Sequence, residues 1–225
     1  MKTPITPITA PLAAGLLVFS LLGSLPFSGC RSTPAKSNQA EINKAASMTQ
    51  LRDDLRATRA SLNRTTEALN RIQAAPNALG EYNNYSKELN VLQKHSANSL
   101  INANNVRETG ATFFSYWEQE TQSIQVAEVR EIADQRRTSV QSSFNALSTP
   151  LAAARTRLTE VTTMLTDLRK ALSLDLTAAG ISSLRKQTEK ATAQSAELAT
   201  SLDSLATEVD KIANALPRPA PAAAK

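Results

Sequence analysis

VQSSFNALSTPLAAARTRLTEVTTMLTDLRKAL, residues 140–172, is the stretch on which the fold turns. Val140, Phe144, Leu147, Leu151, Ala154, Leu158, Val161, Leu165, Leu168 and Leu172 recur in alternating steps of four and three. That is a heptad repeat, which keeps a single apolar seam on one side of a helix and turns it toward a partner. Pro150 lies inside the repeat. A proline removes one helical hydrogen bond and crowds the preceding turn, so a kink or short break is expected near Ser148 and Thr149, with the seam staying in register across it.

Working toward the C-terminus, Leu174, Asp175 and Leu176 form a brief connection and Thr177 is placed to cap a new helix. The next seam runs Ile181, Leu184, Thr188, Ala191, Ser195, Leu198, Leu202, Leu205, Val209, Ile212 and Leu216 without a slip. So short a connection predicts an antiparallel hairpin of neighbouring helices. Residues 217–225, PRPAPAAAK, are a Pro/Ala tail with nothing to bury.

Working toward the N-terminus, a pattern over about 81–120 passes through Tyr82, Tyr85, Leu89, Leu92, Ser96, Ser99, Ala103, Val106, Gly110, Phe113 and Trp117. Its middle is small, which allows a neighbour close, and its aromatic ends suit the closing of a bundle. No Gly or Pro marks its boundary with the following segment, which begins somewhere near 123–128. The first pattern, about 39–74, carries Met48, Leu51, Leu55, Thr58, Leu62, Thr65, Leu69 and Ile72, and ends at Pro76, Asn77 and Gly80. Two threonines thin its seam, so this helix is expected to lie on a core made by the others and to be the least stable of the four. The fold expected over 39–216 is all-α, an elongated antiparallel bundle of three or four long helices with coiled-coil heptad seams.

Composition agrees. Among 225 residues there are 6 Gly and 4% aromatics, and good helix formers fill the middle of the chain. The formal charge is +5, from 25 basic and 20 acidic residues, and the two signs alternate along every segment. A nucleic-acid surface would concentrate Lys and Arg on one face, so that class is set aside.

Residues 1–29 read as a secretory signal peptide, with Lys2, a small and apolar stretch from Leu12 to Leu25, and the ending Leu-Pro-Phe-Ser-Gly-Cys. The stretch is about 14 residues, short of the roughly 18 that cross a bilayer. Phe27, Ser28 and Gly29 before Cys30, the single cysteine, resemble a bacterial lipobox, with Phe27 in place of the usual Leu. The resemblance implies acylation of Cys30, which would become the mature N-terminus and leave 25 − 1 = 24 basic residues against 20 acidic, or +4. Several acyl chains, each buried methylene contributing about 0.8 kcal/mol, hold a protein to a membrane almost irreversibly. Arg31 stands where an acidic residue would signal retention in the inner membrane, so the expected location is the periplasmic face of the outer membrane, with 30–38 as lipidated N-terminus and tether.

The block Phe113-Phe114-x-Tyr116-Trp117-Glu118, then Val129-Arg130, the step Ser148-Thr149-Pro150-Leu151 and the turn Leu172-x-Leu174-x-Leu176-Thr177-Ala178-x-x-Ile181-x-x-Leu184 resemble a secreted bacterial coiled-coil lipoprotein family, domain of unknown function 2959. The resemblance covers about 48–216 and implies fold and compartment without an activity. Leu174-Asp175 departs from the more basic, Asn-containing turn expected there.

Chemistry is sparse. One His and one Cys leave no metal or redox constellation, and the Glu-x-x-His pairs of di-iron bundles are missing, since Leu92 stands three places before His95. No phosphate loop, nucleophile elbow or Ser/His/Asp set occurs, so no enzyme activity and no cofactor are expected. His95, Asn98, Asn102 and Asn105 form a polar stripe that reads as a solvated face, a hydrogen-bonding seam or a ligand surface. Phe113, Phe114, Tyr116 and Trp117 either close the core or contact a partner. Lys225, ending a lipidated helical chain, resembles the murein lipoproteins, whose terminal lysine is joined to peptidoglycan, although the Pro/Ala tail differs from theirs. The expected role is a non-enzymatic spacer or protein-docking scaffold, partnered by the membrane through its anchor and by envelope proteins or peptidoglycan, with self-association open. One alternative is a helical-bundle sensor or ligand-binding module using the small seam from Ser96 to Gly110 as its cavity; another is a transport-machinery adaptor with an exposed hydrophobic hairpin tip.

Overall fold

The computed structural model describes residues 34–217, with side chains from 44 onward. The expected signal peptide, Phe27, Ser28, Gly29, Cys30 and Lys225 lie outside the described residues. Helix α1 spans Pro34–Ile72, α2 Ala78–Gln122, α3 Ala127–Ala146, α4 Ser148–Leu174, α5 Ala178–Ser183 and α6 Arg185–Ala215, and the described residues contain no strand. The chain is an all-α bundle. Helix already runs from Pro34, so the expected tether over 30–38 is shortened from its far side. Proline is well suited to the first helical position, where its missing N–H has no partner to lose.

The seam over 140–172 is buried as its spacing predicts, apart from half-buried Leu151. The break falls at Leu147, one residue before the expected place. Pro150 has no N–H to offer the Ala146 carbonyl, so the ladder is interrupted there, whereas in the first turn of a new helix that N–H would lack a partner anyway. The Leu151 N–H resumes the ladder with the Leu147 carbonyl at 3.0 Å. A second single-residue break at Leu184 separates α5 from α6, and no Gly or Pro announces it.

Turn chemistry sets the hairpins. The Asn77 side chain accepts from the Gly80 N–H at 3.0 Å and starts α2, and the Thr177 hydroxyl accepts from the Gly180 N–H at 3.2 Å and starts α5. The Asp175 carboxylate accepts from the Thr177 N–H at 2.9 Å, and a Cβ on Gly180 would lie 2.4 Å from its Cγ, which is why this turn takes a glycine.

α1 packs most extensively on α2 and α6, which corrects the expectation that it rests on a core built by the others. Its buried face is double: Leu51, Leu55, Thr58, Leu62, Thr65, Leu69 and Ile72 in one column, with Asp54, Ser61, Thr66 and Ala68 beside them. The hydroxyls of its buried threonines are satisfied. Thr65 donates to the Ser61 carbonyl at 2.8 Å, Thr66 to the Leu62 carbonyl at 2.9 Å, and Thr58 shares a 2.8 Å bond with Ser99 of α2. α6 turns its small residues Ala191, Ser195, Ala199 and Ala206 inward, whereas α4 presents mainly Leu and Val, whose bulk holds the helices apart. The α4–α6 hairpin forms as predicted, but the tighter partner of α6 is α1. Arg52–Asp210 at 2.6 Å, Arg59–Asp203 at 3.0 Å and Arg64–Glu88 at 3.1 Å fix antiparallel registers along the outside of α1.

Gly110 marks the closest approach between α2 and α3. A Cβ there would lie 2.3 Å from Cζ of the buried Phe144 ring. Alanine favours a helix by about 1 kcal/mol over glycine, but overpacking a buried ring costs about 1–3 kcal/mol. Gly110→Ala is therefore expected to lower stability, as a reduced urea midpoint at unchanged slope; a raised midpoint would show that Phe144 yields freely.

Candidate functional site

Side chains of unusual character meet at the end of the bundle where α1 begins. Lys44 is on the seam of α1, four residues before Met48, and is 2% exposed. Its Nζ donates to the Val106 carbonyl at 2.6 Å and to Thr109 Oγ1 at 3.4 Å, and lies 4.4 Å from the centre of the Phe144 ring. No carboxylate among the described residues pairs with it. Removal from water without a counter-ion favours the neutral amine and lowers its pKa to about 8.

The aromatic block lies at this same end. Phe113 and Phe114 are buried in the core, with ring centroids 5.2 Å apart; Phe114 also meets Phe144 at 5.3 Å and Trp117 at 6.1 Å. Tyr116 and Trp117 are half-buried. The block closes the bundle end, and only its last two members keep surface that a partner could reach.

The polar stripe divides. Asn102 Nδ2 donates to the buried carboxylate of Asp54, which also accepts from Gln50 at 3.2 Å, so this part is a hydrogen-bonding seam between α1 and α2. Asn98 and Asn105 are exposed and His95 is half-buried. Among the described residues no group of three or more His, Cys, Asp and Glu is placed to hold a metal, and no helix is long and apolar enough to cross a membrane.

The small-residue seam of α2 is filled along most of its length. Ser99 is bonded to Thr58, and Gly110 is covered by Phe144 and Lys44. Beside Ala103 it opens. A groove of about 360 Å³ lies between α2 and the α3–α4 break, floored by Ala103, Val106, Phe144, Leu147 and Leu151, with Arg107 and Arg155 on its rim. Sequence reasoning missed Lys44; it named the seam from Ser96 to Gly110 as a possible cavity, and the groove opens along the Leu100–Arg107 part of it but not the far wall from Phe144 to Arg155. Lys44 had a signal, since its spacing before Met48 continues the buried seam; the groove's α2 wall had one in its small residues, whereas its other wall arises where the proline break separates two helices.

These arrangements stand in a chain that belongs to the family described as protein of unknown function DUF2959, whose model matches residues 44–216. No curated protein and no solved structure matches the chain.

The Lys44 pKa gives a pH dependence with a definite sign. In the unfolded chain the amine titrates near 10.5 and in the folded one near 8. Between those values the unfolded state binds more protons, so stability rises with pH across the window, by on the order of 3 kcal/mol in total. Lys44→Met removes the charge and keeps most of the length. Denaturant midpoints at pH 7, 8, 9 and 10 are expected to give a wild-type minus variant difference that climbs above pH 8; a flat difference would place the ammonium in contact with water.

Proposed function

We propose that the protein is a non-enzymatic lipoprotein, held by Cys30 at the periplasmic face of the outer membrane, whose helical bundle acts as a spacer and a docking scaffold in the cell envelope. The carrying observation is the register of α1. Its 39 residues run unbroken from Pro34 to Ile72. At 1.5 Å per residue that is about 58 Å from the point where the chain enters the bundle to the first turn.

Two further features support the reading. The far end carries exposed leucines, Leu79 just after the first turn and Leu174 at the tip of the α4–α5 turn, 59% and 88% exposed. The Gln73–Thr188 and Arg169–Asn90 hydrogen bonds bring both turns to this end. An apolar side chain held out at a helix end is the feature a docking partner would cover. The middle of the bundle is closed by the Thr58–Ser99 hydrogen bond and by ion pairs along α1, which suits a strut.

Intact mass spectrometry of protein from native envelopes, with and without muramidase digestion, tests the anchor. The expected species begins at a triacylated Cys30, and Cys30→Ser is expected to move the protein into the soluble periplasmic fraction. An unmodified Cys30 would leave a soluble bundle and remove the spacer reading. A muropeptide on Lys225 would add a covalent bond to the wall.

A further inference from the structure

We infer that the groove beside the α3–α4 break is a binding site for a small amphiphilic anion of the medium-chain carboxylate class. Its volume, about 360 Å³, lies at the small end of the roughly 300–1,000 Å³ typical of small-molecule sites. The floor, from Ala103 and Val106 of α2 across Phe144 and Leu147 to Leu151 of α4, is apolar and matches a hydrocarbon body.

Charge decides the class of head group. Arg107 of α2 and Arg155 of α4 line the groove from its two walls, and neither guanidinium has an ion pair or hydrogen bond among the described residues. No carboxylate lines the groove, and its remaining polar residues are Asn104, Asn145 and Ser148. Below the floor the Lys44 ammonium is bonded to the Val106 carbonyl and set against the Phe144 ring, which adds a third cation in a poorly solvated place. Guanidinium is the side chain best shaped to grip a carboxylate with two parallel hydrogen bonds. Two other cavities among the described residues differ: Glu208 lines one beside Arg136 and Lys211, while Glu160 and Asp167 line the other.

The inference is independent of the anchor, because the groove lies wholly within the bundle. Calorimetric titration of the full chain carrying Cys30→Ser with decanoate, below its micelle concentration, is expected to show one saturable site. Decanol, which has the body without the charge, and acetate, which has the charge without the body, are each expected to bind at least tenfold more weakly. Arg107→Gln with Arg155→Gln, both at exposed positions, should weaken decanoate at least tenfold and leave decanol unchanged, with the melting temperature as a check on folding. Ala103→Phe, filling the floor, should abolish both. No saturable decanoate binding, or equal affinity in the double variant, overturns the inference. Binding to phosphatidylglycerol vesicles that the double variant weakens, with no decanoate site, would replace it by a bilayer-surface contact.

Discussion

The bundle depends on the 2.8 Å hydrogen bond between Thr58 and Ser99, because it lets two long helices bring these two polar residues face to face with both hydroxyls satisfied. A buried hydroxyl with no partner costs about 1–3 kcal/mol, whereas a paired one costs little and occupies less room than leucine. The helices on either side of that bond can therefore approach closely. The close approach brings Asp54 within reach of Asn102 and sets the register that the outer ion pairs follow. Exposed pairs of that kind contribute about 0–1 kcal/mol each, so they select the alignment more than they drive association.

At the opposite extreme of chemistry is Lys44. Burying an ammonium without a counter-ion is unfavourable, and this chain offers it a backbone carbonyl and an aromatic face instead. Gly110 makes the arrangement geometrically possible, since any Cβ there would occupy the space of the Phe144 ring. Three residues far apart in the chain thus depend on one another: removing the glycine displaces the ring, and displacing the ring leaves the charge without its cushion. Tyr85 near the other end is the neutral counterpart. Its phenol donates to the Leu165 carbonyl at 2.5 Å, and burial pushes its pKa well above the ordinary value.

The heptads carried most of the fold. Val140 through Leu172 lie where a repeat of 3.5 residues puts them, Thr177 caps the helix it was expected to cap, and the break near Pro150 shifts by one residue only. What the pattern could not convey was which pair of helices lies closest. Apolarity ranks Leu above Thr and so made the 39–74 segment look like a late addition, yet interaxial distance is set by side-chain volume, and by that measure Thr58, Ser61, Thr65 and Ala68 mark the tightest interface. The same reasoning concealed Lys44, whose charge reads as surface until its position in the repeat is counted. Of the candidate site residues, the aromatic block was legible as bundle closure from the clustering of Phe113, Phe114 and Trp117. The groove was legible only on its α2 side, where small residues were read as a possible cavity; its other wall is created by the gap at the α3–α4 break and not by any residue type.

Topology bears on the two ends of the spacer unequally. The chain enters the bundle through α1, and the hydrogen bond from Arg136 to the Ala215 carbonyl, with the Arg52–Asp210 pair, returns the end of α6 to the same extremity. An even number of antiparallel rods requires this. The two turns with Leu79 and Leu174 lie at the opposite extremity. A strut joining two surfaces by its two chain termini needs an odd number of rods. With four rods, both ends of the described helices lie at one extremity, so whatever touches the other extremity meets the turns and not a helix terminus.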